Sequence, residues 1–169
     1  MTTLDFRGRT TIKVYELTKL GKLLWKLRLP VPRELYRLMD EETIVGKCVT
    51  AAFVEHLVDA LHTASYINNF KYHEFGVGTA SESASDTALG SPCAGESRTI
   101  GTQTEGGSAN VYRTFAEHTF SNSFAVTEHG VFNASSGGIL MDRSVFSAKQ
   151  VTEGSKIEVT FELTLQSGG

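Results

Sequence analysis

A chain of 169 residues has room for one hydrophobic core and an appendage, but not for two full domains. Its 40% hydrophobic content, with 16 Gly and only 3 Pro, fits a globular protein with tight turns between short strands and excludes a disordered tail. No stretch approaches the roughly 20 apolar residues of a membrane span, and residues 1–9 lack the apolar centre of a secretory signal, so we expect a cytoplasm-like compartment.

The net charge of -3 hides an uneven distribution along the chain. Residues 1–37 carry nine Lys or Arg against three acidic residues, a balance of +6, which leaves -9 for the remainder. Such asymmetry indicates electrostatic attachment to something acidic: nucleic acid, a membrane surface, or another copy of the acidic body. We therefore predict a basic N-terminal arm over residues 1–44, followed by a β-rich domain over residues 45–169.

The predicted arm contains a helical pattern. Residues 10–17 alternate apolar and polar side chains, as a short half-exposed strand does. Residues 19–28 then place leucines on one helical face and lysines on another, and Pro30 ends the pattern. The predicted partner-binding residues of this helix are Lys19, Lys22, Leu23, Leu24, Trp25, Lys26, Leu27 and Arg28.

Three kinds of partner suit a basic amphipathic helix. It can lie on an anionic membrane, contact nucleic-acid phosphates, or pack on protein with its lysines reaching carboxylates. We favour protein contact and expect neither a membrane nor a nucleic-acid partner, because the segment is short for nucleic acid and lacks interleaved aromatic side chains for base stacking.

The best helical pattern in the chain spans residues 45–65. Its apolar side chains form one broad stripe, which needs a partner surface, most simply the sheet that follows. Cys48 lies in this predicted helix and behaves there as a small apolar residue. We read Cys48 and Cys93 as reduced and structural, although a bridge between them stays open. The stripe consists of Val49, Phe53, Val54, Leu57, Val58 and Leu61.

Strands and turns follow from residue 68 onward. Residues 68–78 are aromatic and extended, and residues 79–97 form a loop in which Ser85 or Asp86 caps a short helical turn. Residues 135–138 signal a hairpin turn. About six strands without intervening helices predict a mainly β fold, an antiparallel β-sandwich (jelly-roll-like) or a small barrel. The predicted strands include RTIGTQ, NVYRTFAEHTF, FAVTEHGVFNA, ILMDRSVFSA and KIEVTFELTLQ.

The residue types that carry chemistry do not converge in the sequence. The Gly-rich segments lack the context of a phosphate-binding loop, and no GxSxG motif occurs. His56 and His62 are six residues apart, which separates them on a helix. In the adjacent pairs at 73–74 and 128–129, His and Glu point to opposite faces of a strand and cannot act together. We predict that the protein is not an enzyme and uses no cofactor or metal.

The C-terminal part resembles small virion structural proteins of tailed bacteriophages, some of which act as capsid decoration or cement proteins. The resemblance covers roughly residues 69–169. It is carried by residues 71–89, KYHEFGVGTASESASDTAL, residues 98–114, RTIGTQTEGGSANVYRT, and above all residues 124–148, FAVTEHGVFNASSGGILMDRSVFSA.

This resemblance implies a role in the virion. A cement protein binds at junctions between major capsid subunits, which implies a homo-oligomer, such as a trimer, on the capsid exterior after synthesis in the host cytoplasm. A tail, neck or baseplate component is the alternative. A carbohydrate-binding module ranks lower, because alternation divides its aromatic candidates between two faces. Those candidates are Tyr66, Phe70, Tyr72 and Phe75.

Overall fold

The computed structural model describes residues 5–63 and 69–166, in which two five-stranded antiparallel sheets pack face to face. Sheet A has the order β2-β1-β9-β6-β5, and sheet B has the order β2-β8-β7-β3-β4. The predicted mainly β, antiparallel sandwich is therefore confirmed. In chain order the elements are β1 (Asp5–Leu17), α1 (Lys19–Lys26), a 3₁₀ turn (Arg33–Leu35), β2 (Tyr36–Val49), α2 (Ala51–Thr63), β3 (Tyr72–Gly76), β4 (Thr99–Ile100), β5 (Thr102–Glu105), β6 (Val111–Thr119), β7 (Phe124–Phe132), β8 (Leu140–Val151) and β9 (Lys156–Gln166).

Both edges of the sandwich are corners at which the chain passes from one sheet to the other. On one side β2 pairs along β1 and then pairs with β8 through Cys48 and Val49. On the other side only Gly101 separates β4, in sheet B, from β5, in sheet A. A Cβ at Gly101 would lie 2.7 Å from His73 Nε2. This corner therefore requires glycine because the backbone passes close to a buried side chain.

The core fills the space between the sheets. Strand β9 contributes Ile157, Val159, Phe161 and Leu163, which are buried on one face as the alternation predicts. Of these, Ile157 and Val159 meet residues of sheet B such as Val126 in the main cluster. Phe161 and Leu163 belong to a second cluster, which also contains Phe53 of α2. The core thus contains side chains from both sheets and from α2.

The N-terminal segment contributes two strands to this architecture. Strand β1 lies between β2 and β9 in the middle of sheet A, and its Ile12 and Val14 are buried in the core. Its basic residues Arg9 and Lys13 alternate with them on the opposite face. Of the predicted arm, residues 18–35 lie outside the sheets, and α1 is the main element there.

The predicted helix over residues 45–65 begins later than the sequence indicates. Residues 45–49 continue β2, because Cys48 and Val49 pair with β8. Thr50 then starts α2, since its Oγ1 accepts the N–H of Phe53 at 3.2 Å. The predicted apolar stripe is wrong in part: Phe53 is buried, but Val58 and Leu61 are exposed. Residues 64 and 65 lie outside the described residues.

Candidate partner-binding surface

Helix α1 is held firmly against the end of the β1–β2 hairpin. Thr18 caps it: its Oγ1 accepts the N–H of Gly21 at 3.2 Å, and its own N–H donates to the Leu35 carbonyl at 2.8 Å. Gly21 is buried, and a Cβ there would lie 3.0 Å from Leu17 and 3.2 Å from the Leu35 carbonyl oxygen. The close approach of the helix to the hairpin therefore depends on a small residue at position 21.

Trp25 forms the second anchor of α1. Its Nε1 donates to Glu153 Oε1 at 3.3 Å, in the turn between β8 and β9. A Cβ on Gly154 would lie 3.3 Å from the indole ring. The Trp25 side chain therefore faces the sandwich, where it fixes the orientation of α1.

The C-terminal end of α1 contains a strained residue. Arg28 has a φ of 55°, its N–H donates to the Trp25 carbonyl at 3.0 Å, and the N–H of Leu29 donates to the Leu24 carbonyl at 3.0 Å. These bonds form a Schellman motif, whose left-handed position is normally occupied by glycine. Because a Cβ in this conformation is unfavourable, the fold itself would favour glycine at position 28.

The leucine face of α1 points to solvent. Leu20, Leu23, Leu27 and Leu29 are between 50% and 59% exposed. The basic side chains of α1 and its cap are exposed around them. An amphipathic helix usually buries its apolar stripe, and an exposed apolar patch rimmed by polar residues is typical of an interaction site. We define the α1 surface as Lys19, Leu20, Lys22, Leu23, Lys26, Leu27, Arg28 and Leu29.

The structure brings together most of the residues that the sequence pattern singles out. Six of the eight predicted partner-binding residues belong to the α1 surface. The other two, Leu24 and Trp25, are half-buried. Leu20 and Leu29 were missing from the predicted set, although Leu20 belongs to the same helical stripe. Only the packing of Gly21 and Trp25 reveals which side of α1 faces outward.

A β-bulge exposes more apolar surface at the same end of the hairpin. The β1–β2 register shifts between Val14 and Tyr15, so that Met39 is an additional residue on β2. Leu38 and Met39 are consequently both exposed, although a regular strand would direct them to opposite faces. The end of the β1–β2 hairpin that carries α1 therefore concentrates exposed apolar side chains.

Two histidines that are 56 residues apart in the sequence meet inside the sandwich. Pairing of β3 with β7 brings His73 Nδ1 to 2.9 Å from His129 Nε2, and His73 Nε2 lies 3.0 Å from Thr114 Oγ1. Both histidines are fully buried. Burial lowers the pKa of His73 to about 3 and that of His129 well below its usual value. Long-range strand pairing, which no local signal reveals, creates this cluster.

The loop between β3 and β4 is fixed to sheet B by a buried ion pair. Glu128 accepts the N–H groups of Gly78, Gly90 and Ser91 at 2.7–3.0 Å, and Arg143 Nε donates to it at 2.8 Å. Burial raises the pKa of Glu128, but these hydrogen bonds more than offset it, so the pKa is lowered. The Glu128 and His129 side chains thus lie on different faces of β7.

The predicted helical turn in this loop, at residues 87–89, is not formed. Instead of capping a helix, Asp86 accepts the N–H of Ser83 at 2.8 Å and pairs with Arg143. Side-chain hydrogen bonds of this kind compete with helix formation. The loop is therefore held in an irregular conformation by contacts to the sandwich.

The cysteines and the aromatic candidates for carbohydrate binding do not belong to the α1 surface. Both cysteines are free. Of the aromatic candidates for a carbohydrate module, Phe70 and Phe75 are buried and Tyr72 is half-buried, while Tyr66 lies outside the described residues. Within residues 5–63 and 69–166, no three His, Cys, Asp or Glu side chains are arranged to hold a metal ion. Neither described helix has the length and apolar character needed to cross a membrane.

Comparison with known proteins finds no match to the chain, whether among protein-family models, curated proteins or solved structures.

Proposed function

We propose that this chain is a structural virion protein of a tailed bacteriophage, a capsid cement or decoration protein that stabilises contacts between major capsid subunits. The observation that carries the proposal is the α1 surface, an apolar helical face surrounded by basic side chains. The resemblance over residues 69–169 to small virion proteins supports the same conclusion from a different part of the chain.

The α1 surface suits a permanent protein contact. The Thr18 cap and the Trp25 anchor fix the helix before binding, so little conformational entropy is lost when a partner is bound. Full burial of one leucine side chain is worth about 1.5–3 kcal/mol, and four leucines are half-exposed here. The partner surface that fits is an apolar groove with an acidic rim, which we assign to the major capsid protein.

The assembly that follows is a homo-oligomer, such as a trimer, on the exterior of the capsid. Junctions between capsid subunits are symmetric, and a symmetric oligomer presents one α1 surface to each neighbouring subunit. The outer face of sheet A and the β3–β4 loop then remain available at the virion surface.

Gold labelling of intact virions with an antibody against the sandwich tests this location. Label distributed over the head is the expected result. Label confined to the tail, neck or baseplate would contradict the cement assignment and favour the alternative virion position. Purified particles that lack the chain altogether would contradict both the cement assignment and the tail, neck or baseplate assignment.

A further inference from the structure

An open groove crosses the outer face of sheet A, on the side opposite the core. Five strands line it, and one row of side chains runs across them in register. Thr11 pairs with Thr43 and with Thr160, and Thr160 pairs with Phe115, which pairs with Thr102. With neighbouring strands about 4.8 Å apart, this row is about 19 Å long. A ligand that fills it is elongated and narrow.

The groove offers many hydrogen-bonding groups that face solvent. Five of the lining residues are threonines, whose hydroxyls both donate and accept. Arg113 donates from Nε and Nη2 to a single oxygen of Glu162, at 2.8 and 2.6 Å. The second oxygen of that carboxylate accepts none of these bonds. The lining therefore retains capacity to bind a ligand rich in hydroxyl groups.

One basic side chain of the groove, Arg9, forms no ion pair among the residues that the structure describes. Arg113 pairs with Glu162, and Lys13 pairs with Glu41. Arg9 is the cross-strand neighbour of Glu162 but forms no ion pair within the described part of the chain. A guanidinium binds a carboxylate through two parallel hydrogen bonds. The ligand that suits the groove therefore carries a carboxylate.

Among the described residues that line the groove, Phe115 is the single apolar one, and it lies in the threonine row between Thr160 and Thr102. Its side chain is 40% exposed although the inward-facing neighbours on β6 are buried. An exposed ring surrounded by hydroxyls supplies an apolar platform for the C–H face of a sugar ring. The centre of a protein–protein interface is, by contrast, depleted of charge and largely apolar. This composition favours a saccharide over a second protein.

We propose that the groove on sheet A binds an acidic oligosaccharide. Phe115 stacks on a sugar ring, the threonine row and Glu162 bind its hydroxyls, and Arg9 binds its carboxylate. The site lies on β1, β2, β5, β6 and β9 and does not include the α1 surface, so it is independent of the proposed attachment to a capsid.

A glycan array that includes carboxylated and uncharged oligosaccharides tests the proposal with the full chain. The expected hits are carboxylated chains, with affinities then measured by calorimetry. Phe115→Ala should weaken binding about tenfold, because the stacking contact is lost. Arg9→Gln should remove the preference for carboxylated over uncharged chains. Phe115→Trp preserves an aromatic platform and should retain binding.

Leu165→Ala is the matched control, since Leu165 is 38% exposed on β9 but does not line the groove. It should leave the affinity unchanged. An array without carboxylated hits would overturn the proposal, as would hits whose affinity survives both Phe115→Ala and Arg9→Gln. A change in oligomer mass caused by Phe115→Ala, without any saccharide binding, would instead assign the groove to contact between copies.

Discussion

At the scale of single residues, the buried histidines are expected to make the fold less stable in acid. His73 and His129 are held neutral in the folded chain, because burial lowers the pKa of His73 to about 3 and that of His129 well below its usual value. In the unfolded chain both titrate near pH 6.5. Between these limits the unfolded state binds more protons, so the free energy of unfolding decreases as the pH falls below about 6.5.

The expected slope is up to about 1.4 kcal/mol per pH unit for each histidine. Urea unfolding at a series of pH values between 7 and 4 measures it. His129→Gln removes one of the two titrations and should give a shallower dependence over the same range. An equal slope in the variant and the parent chain would show that other groups control the acid response.

The alternation of apolar and polar residues is the sequence pattern that best predicts which side chains are buried. The inward positions of β9 could be predicted because Ile157, Val159 and Phe161 alternate strictly with polar residues. The meeting of His73 with His129 could not be predicted, because it depends on β3 pairing with β7, more than fifty residues away. Local patterns specify which face a side chain takes, but not which strand faces it.

At the scale of elements, α1 contains both a strained residue, Arg28, and the surface that we propose binds a partner. Arg28 adopts a left-handed conformation that glycine adopts without a Cβ penalty. Arg28→Gly should therefore increase the free energy of unfolding by about 0.5–1 kcal/mol, measured by urea unfolding. The same change removes a positive charge from the α1 surface and should weaken capsid binding.

An increase in stability together with a loss of capsid binding would separate the conformational effect of Arg28 from its proposed role in binding. Arg28→Lys retains the charge with the strained backbone, and should retain both parent stability and most of the capsid affinity. A chain that becomes less stable on Arg28→Gly would contradict the conformational assignment at this position.

The elements also show where sequence patterns were ambiguous. Residues 45–49 read as helix because their apolar side chains continue the stripe of α2, yet strand pairing with β8 overrides that pattern. The pattern identified α1 but did not give its orientation, which is set by the buried Gly21 and by the bond between Trp25 and Glu153. Local patterns predicted α1 and the region of α2 but not the strand β2, and tertiary contacts decided the limits and directions of both helices.

At the scale of the whole molecule, the basic N-terminal segment is part of the sandwich. The positive charge of this segment predicted a separate arm. In the structure, Arg9 and Lys13 lie on the outer face of β1, whereas Ile12 and Val14 on the other face are buried in the core. A charge count sums both faces of a strand and so conceals the apolar one. The corners at β2 and Gly101, which join the two sheets, could not be predicted either, because they are defined by long-range strand pairing.

Deletion of residues 1–40 is therefore expected to abolish folding. It removes β1 from between β2 and β9, breaks both of its ladders, and exposes the inward side chains of β9. The loss of cooperative thermal unfolding, followed by circular dichroism, measures the effect. A truncated chain that unfolds cooperatively would show that sheet A closes without β1.

Point substitution on the α1 surface tests attachment without this loss. The most direct measurement is co-sedimentation of the full chain with capsids from which it has been stripped, comparing Leu23→Asp with Leu61→Asp. Both leucines are exposed on helices, Leu61 at 81% on α2, so neither change should unfold the chain. We predict that Leu23→Asp abolishes sedimentation with capsids while Leu61→Asp binds like the parent. Equal binding by the parent chain and both variants would contradict attachment through α1.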